Sequence, residues 1–296
     1  MIPPSFRRIV RLAPVVFASL LCAFAPTVSA EVIVKPEDKV AFLGDSITAQ
    51  GWGNPAGYVK LIVAAFEANG IKITPVAAGI GGHKSNDMLA RLDKDVLSKK
   101  PQWMTLSCGV NDVWHGNKGV PLNDAQAAAQ KYEKRSSIEP DKGTYQNNIT
   151  QIVEKAQGAG VQVVILTATV IREDLGNDEN KKLAPYNDFL RKLAKEKHLP
   201  LADLNAIFQE RIKAANQPGK NVFTVDGVHM NIEGNKIMAT GVLQTFGFDA
   251  AQIKKAEAAW VPLEAQAASE AKKVAEAKAK AAADKAAAAK LATPAK

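Results

Sequence analysis

Cysteine is nearly missing from this 296-residue chain, which has only Cys22 and Cys108. Cys22 falls in a leader-like start, so Cys108 would stand alone in the mature protein. That excludes an internal disulfide framework and leaves stability to a hydrophobic core, for which residues 31 onward are ample. Cys108 lies in an apolar run and reads as a small buried hydrophobe, and no cysteine pair has zinc-site spacing. Long apolar runs are equally scarce. The one of note, Leu12–Ala25, is too short and wrongly flanked for a membrane span. It follows Arg7, Arg8 and Arg11 and precedes Val28-Ser29-Ala30, the pattern of a cleaved signal peptide over residues 1–30. The expected location is therefore secreted or periplasmic. Leu21 before Cys22 is a poor match to a lipoprotein signal.

A basic face on the folded domain is also lacking. The formal net charge is +8, but three positive charges sit in the leader, and residues 252–296 carry nine lysines against five acids. The middle of the chain is near neutral, which argues against nucleic acid as a partner. The tail from Ala250 is rich in alanine, lysine and glutamate, with few large apolar residues after Trp260, Val261 and Leu263. Alanine favours helix, yet a segment without an apolar stripe buries little, so the expectation is a partly helical or disordered appendage over 250–296. Contact of its lysines with an anionic surface is a second reading, beside that of a solvated charged segment.

What is present centres on Val40–Gly53, VAFLGDSITAQGWG. Val40–Leu43 reads as a buried strand broken by Gly44 and Asp45, which leaves Ser46 at the strand's carboxyl end, where open α/β sheets place their chemistry. Tyr58–Ala68 follows with helical spacing, then a strand candidate at Ile71–Ala77 ending in Ala78-Gly79-Ile80-Gly81-Gly82, with His83 and Lys84 next. Ser85 reads as the cap of a helix from Asn86. The glycine run can expose backbone amides to an anion, or be a plain tight loop.

Trp103–Cys108 repeats the arrangement, with Gly109-Val110-Asn111-Asp112 displayed just past the strand. Asn111 could donate its amide into the crevice that Ser46 faces; an ordinary Asn-Asp turn is the alternative. Val113–Pro140 reads as an excursion over the same edge, with Trp114 and His115 as a candidate substrate wall. Alternation resumes with a helix at Gly143–Gly158, a strand at Val161–Thr167 and a helix at Lys181–Lys197, in which Pro185 marks a bend or the true start. A short strand at Leu199–Leu204, a helix at Asn205–Ala215 and one at Ile232–Phe246 complete the series. Just before the last helix, Asp226-Gly227-Val228-His229 puts a carboxylate three residues from an imidazole, spacing that lets the acid orient one ring nitrogen while the other faces Ser46.

Taken as a set, GDSIT around Ser46, the glycine turn ending at Gly82, GVND around Asn111 and DGVH over Asp226–His229 resemble the SGNH hydrolases, or GDSL-type esterases and lipases. The resemblance spans most of Val40–Phe246. It implies a three-layer α/β/α sandwich with a mainly five-stranded parallel sheet over residues 31–249. It also implies serine ester hydrolysis, with Ser46 as nucleophile, His229 as general base and acid, and Asp226 as its orienting carboxylate. The oxyanion hole would comprise the amides of Ser46 and Gly82 with the Asn111 side chain. No metal or organic cofactor is needed for this chemistry. The block around Ser46 lacks the second glycine of Gly-x-Ser-x-Gly, which argues against an α/β-hydrolase nucleophile elbow.

Substrate is a separate inference. Trp52, His83, Trp114 and His115 are candidate substrate-binding residues, and no long apolar flap stands out to enclose an acyl chain. Aromatic and amide groups suit a sugar face and its hydroxyls, so the expectation is removal of small acyl groups, chiefly acetyl, from a carbohydrate. A lysophospholipase or short-chain arylesterase is the alternative within the same chemistry. A non-catalytic carbohydrate-binding or adhesion module is the alternative outside it.

Overall fold

The computed structural model describes residues 31–114, 119–129 and 143–291. The expected leader over residues 1–30, and His115, lie outside the described residues. The first half runs β1 (Lys39–Gly44), α1 (Ser46–Gly53), α2 (Tyr58–Ala68), β2 (Thr74–Gly79), α3 (Ser85–Asp95), β3 (Trp103–Ser107), α4 (Val110–Trp114) and α5 (Asp124–Ala129). The second runs α6 (Tyr145–Gly158), β4 (Gln162–Leu166), α7 (Asp178–Glu196), β5 (Leu201–Ala202), α8 (Leu204–Ala215), α9 (Ile232–Thr245) and α10 (Ala250–Leu291).

The five strands among the described residues are parallel, in the order β2-β1-β3-β4-β5. Helices α2, α9 and α10 pack together on one face, and α3, α6 and α7 on the other. This is the expected three-layer α/β/α arrangement. Covering on both faces explains why Val40, Ala41, Phe42 and Leu43 form an unbroken apolar run, every one of them buried. Under one layer, Phe66 meets Phe246 and Phe248 edge-on at centroid distances of 5.7 and 5.0 Å, and Trp103 meets Phe246 at 5.9 Å. Under the other, the Tyr145 and Tyr186 rings meet tilted at 58° with centroids 4.9 Å apart, and their hydroxyls donate to the carbonyls of Cys108 and Val120.

The strand order reverses between β1 and β3, and in open α/β sheets that switch point opens a crevice at the carboxyl ends of the two strands. Ser46 follows β1 and Asn111 follows β3, so the topology alone points both at one place.

Three local expectations need correction. Ser46 opens a helix where none was expected before Tyr58, with Asp45 as its cap accepting from the Ile47 amide at 2.9 Å. Ser85 is inside α3 rather than its cap; Lys84 holds the cap position, and the Ser85 hydroxyl is drawn to Asp112 instead. Helix α7 starts at Asp178, where the Asn177 side chain caps it, and continues through Pro185.

The boundary expected at residue 250 also differs from the packing. Ile253, Ala256, Trp260 and Ala267 of α10 are buried, and the Trp260 indole donates to the Leu61 carbonyl at 2.8 Å. Four apolar positions spaced along one helix face supply the stripe that composition had hidden. From Ala268 through Ala282 every residue is exposed.

Candidate active site

Each strand end at the switch point contributes one element. At β1 the chain turns sharply into α1, and a methyl group on Gly44 would overlap the Thr48 hydroxyl, so only glycine fits that corner. The turn leaves Ser46 as the first helical residue, where its amide has no intrahelical acceptor. After β2, Gly82 adopts φ +77°, and the His83 amide returns to the Ile80 carbonyl at 3.4 Å, closing a tight turn that favours glycine at that position. A methyl on Gly81 would come 3.9 Å from Ser46 Cβ, which puts the turn beside the serine. After β3, the buried Asn111 sits in α4 and donates its side-chain amide to the His83 carbonyl at 3.1 Å, joining the two loops.

The segment before α9 supplies the remaining groups. An antiparallel bridge pairs Thr224 with Met230, and the Val225 amide donates to the His229 carbonyl at 2.8 Å, so residues 224–230 form a closed loop. Within it Gly227 takes φ +93°, lies against Arg172 and accepts the Arg172 amide. Asp226 uses both oxygens. One accepts the amides of Val228 at 3.0 Å and His229 at 2.8 Å; the other lies 2.7 Å from His229 Nδ1. Partial burial pushes the Asp226 carboxyl up, but those amides and the ring outweigh it and hold it below the usual carboxylate range. An aspartate held ionised against Nδ1 fixes the imidazole with its proton on that nitrogen and leaves Nε2 as acceptor. His229 Nε2 lies 2.9 Å from Ser46 Oγ, although the two residues are 183 positions apart in sequence. The continuous chain from carboxylate to imidazole to hydroxyl has the geometry to move a proton off the serine as the oxygen attacks.

This arrangement has known counterparts. The family model described as "GDSL-like Lipase/Acylhydrolase family" matches residues 42–237, about two thirds of the chain. The chain belongs to the GDSL-like lipase/acylhydrolase family. This GDSL hydrolase is a carboxylic ester hydrolase of the SGNH type. It is 25% identical over 226 residues to an acetylxylan esterase of Geobacillus stearothermophilus, covering 72% of this chain and 95% of the relative. It is 25% identical over 233 residues to the uncharacterized lipoprotein YqeF of Bacillus subtilis strain 168, covering 70% of this chain and 88% of that one. A crystal structure of an acetyl xylan esterase, AlAXEase, superposes with a TM-score of 0.58 at 29% identity, over 70% of this chain and 98% of that one.

Of the candidate substrate-binding residues of this GDSL hydrolase, Trp52, His83 and Trp114 are among the described residues. Trp114 stands edge-on to His229, with ring centroids 6.5 Å apart. Trp52 lies on α1 under the Lys60 ammonium, 3.7 Å from its ring centre. His83 is tied inward: its Nδ1 accepts from Arg91 Nε at 3.0 Å, so the proton sits on Nε2, and burial together with the Arg91 charge pushes its pKa down. A cavity of about 620 Å³ lies between Glu173–Gly176 and Asn216–Val222, and none of Ser46, Asp226 and His229 lines it.

Three supports escaped the sequence. Arg91 is buried and donates to the Gly44 and Ala78 carbonyls at 2.8 and 2.9 Å as well as to His83, bracing the ends of β1 and β2 under the serine. Asp112, beside Asn111, accepts the Ser85 amide and hydroxyl, and Asn148 donates to that hydroxyl. Burial pushes both Asp45 and Asp112 up to about 6 despite these donors. Glu173 accepts from the Val222, Phe223 and Thr224 amides and from the Thr224 hydroxyl, at 2.7–2.9 Å, immediately before the Asp226 loop. Asp112 had a signal in its motif; Arg91 and Glu173 had none, because their partners lie far away in sequence.

Proposed function

We propose that the protein is a serine esterase that removes acetyl groups from an acetylated carbohydrate, with Ser46 as nucleophile. The observation that carries the chemistry is the Asp226–His229–Ser46 chain at 2.7 and 2.9 Å. Ser46 Oγ attacks the ester carbonyl carbon as His229 Nε2 takes its proton, and the imidazolium formed is stabilised by Asp226. The oxyanion that develops is held by the Ser46 and Gly82 amides and the Asn111 side chain; Gly81 lying beside the Ser46 Cβ and the Asn111 bond to the His83 carbonyl support this set. His229 returns the proton to the departing sugar oxygen. Water, deprotonated by the same ring, then attacks the acetyl-serine and releases acetate.

The carbohydrate half of the reading is supported by the relatives, two of them named for acetylated xylan. Export to the periplasm or exterior is supported by the basic, then apolar, then small-residue order of residues 1–30. The division into leader, hydrolase body and tail is part of the same proposal, with the body extended to about Ala267 on the strength of the buried α10 face.

The test is acetate release from acetylated xylan, pectin and peptidoglycan, set beside turnover of lysolipids and p-nitrophenyl esters of increasing acyl length. The expected result is acetate release from at least one glycan and a preference for acetyl over long acyl chains. Equal or greater turnover of long-chain esters, with no glycan deacetylated, would replace this reading with a lipid one.

A further inference from the structure

The GDSL-family match ends at residue 237, before α10 begins, yet α10 passes along the helix that carries the serine. Along α1, Ile47, Thr48 and Gly51 are buried, while Ser46 and Ala49 are half-buried and Gln50 and Gly53 exposed. Positions i, i+3, i+4 and i+7 form one helix face, so the proposed nucleophile and these three residues share the stripe of α1 that meets solvent. Ala49, Gln50 and Gly53 of that stripe, but not Ser46 itself, line a groove of about 510 Å³ together with Asn54 and Pro55, and its opposite wall is Ala267, Glu270, Ala271 and Val274 of α10. Sharing Gly53, Pro55 and Glu270, it continues into a second hollow of about 410 Å³ that reaches Lys60, Glu67 and Gln266.

We propose that this groove holds the sugar chain of an acetylated oligosaccharide while its ester sits at Ser46; the inference rests on the esterase reading above. Three features favour this occupant. First, the groove opens one helical turn beyond the nucleophile, at Ala49 on the same face of α1. At the helical rise, Ser46 to Gly53 spans about 10 Å, so a ligand with its ester at Ser46 and its body in the groove is a short run of sugar units rather than an acetyl group alone. Second, the lining is mixed. Ala49, Gly53, Ala267 and Ala271 let a ring face approach the backbone closely, and the side chains of Gln50, Asn54 and Glu270 offer donors and acceptors to hydroxyls. Glu270 is steadied by Gln266 Nε2 at 2.9 Å. Third, the wall is anchored: Ala256 and Trp260 are buried, the Trp260 indole is bonded to Leu61, and the Asn69 side chain donates to the Gln252 carbonyl at 3.2 Å. The groove is open along its length, unlike the closed apolar tunnel an acyl chain would need.

The test compares wild type, Ala271→Arg and Gln50→Ala on acetylated xylo-oligosaccharides of increasing length and on p-nitrophenyl acetate, with thermal melting as a check on folding. Ala271 is exposed, so its replacement leaves the core untouched. In wild type, kcat/KM should rise with oligosaccharide length, because remote binding energy is available to the reaction. Ala271→Arg fills the groove and should flatten that rise, losing about tenfold more on the longest oligosaccharide than on p-nitrophenyl acetate; Gln50→Ala should move in the same direction by less. A length dependence retained in both variants would overturn the groove while leaving the esterase intact. Wild type that cleaves p-nitrophenyl acetate but no acetylated glycan would overturn the carbohydrate reading and the groove with it. Selective loss of long-chain ester turnover in Ala271→Arg would assign the groove to an acyl chain and overturn the proposal.

Discussion

Glu173→Gln isolates the part of the site that lies furthest from the motifs. Oxygen Oε1 of Glu173 accepts from the Phe223 and Thr224 amides and the Thr224 hydroxyl, while Oε2 accepts from the Val222 amide at 2.7 Å. A glutamine can keep its carbonyl oxygen at the three-donor position, but its NH₂ must then face the Val222 N–H. One hydrogen bond to a charged acceptor is lost and the remaining three become neutral. A bond to a charged group contributes about 1.5–3 kcal/mol, so the loss should be about 2–3 kcal/mol. For a body of this size that lowers the melting temperature by roughly 4–12 °C. Glu173→Ala strands all four donors and should cost more. Because residues 222–224 lead directly into the loop bearing Asp226 and His229, the clamp should act on the chemistry through His229 placement: kcat should fall while KM for a small ester changes little. Calorimetry and steady-state hydrolysis of p-nitrophenyl acetate on the same preparations make the check. A Gln variant with the wild-type melting temperature and wild-type kcat would refute the assignment of Glu173 as a positioning residue.

Asn111→Ala should still fold, losing about 1–3 kcal/mol with its bond to the His83 carbonyl, and should lower kcat by about a hundredfold or more, on the order of 3 kcal/mol of transition-state stabilisation; an unchanged rate removes Asn111 from the oxyanion hole. Asp112, raised by burial from 3.8 to about 6, keeps its proton in the folded state where the unfolded chain has released it, so its own contribution to stability falls as pH rises from about 4 to about 6. Asp112→Asn keeps an acceptor for Ser85 and removes that charge, so its stability relative to wild type should grow over this range, by on the order of 3 kcal/mol in denaturant melts at pH 4 and pH 7. A constant difference across pH would show that the carboxyl ionises normally. Trp260→Ala removes a fully buried indole and leaves the Leu61 carbonyl unpaired, for a loss of about 3–5 kcal/mol measured by urea unfolding; a loss below about 1 kcal/mol would return α10 to the status of an appendage.

The strands and the reacting groups were legible because their signals are local. Val40–Leu43 is a buried run closed by a glycine, and Asp226 with His229 carries its geometry in a three-residue spacing that the structure realises through paired bonds to one carboxylate. Helix α1 was not legible as a helix: Ser46–Gly53 holds two glycines and only Ile47 and Trp52 as large apolar residues, and its place is set by the sheet below and α2 beside it. The α10 contact was hidden for a similar reason, since alanines at a helix–helix seam look the same in sequence as alanines in solvent. Glu173 and Arg91 could not be read at all. Glu173 meets residues about fifty positions away, and Arg91 meets Gly44 across 47, so their partners exist only once the sheet has assembled. His83 was legible only as an aromatic group in a loop suited to a sugar face; the buried arginine that donates to its Nδ1 is again a tertiary fact.

The central claim is that Ser46 forms the covalent intermediate. It is tested most directly by treating wild type and Ser46→Ala with a serine-reactive phosphonate, locating the adduct by peptide mass, and measuring acetate-ester hydrolysis on the same samples. Wild type should carry a single adduct on Ser46 and lose all activity, while Ser46→Ala should carry no adduct and turn over roughly 10⁶-fold more slowly. Labelling at another residue, or hydrolysis by Ser46→Ala at the wild-type rate, would contradict it.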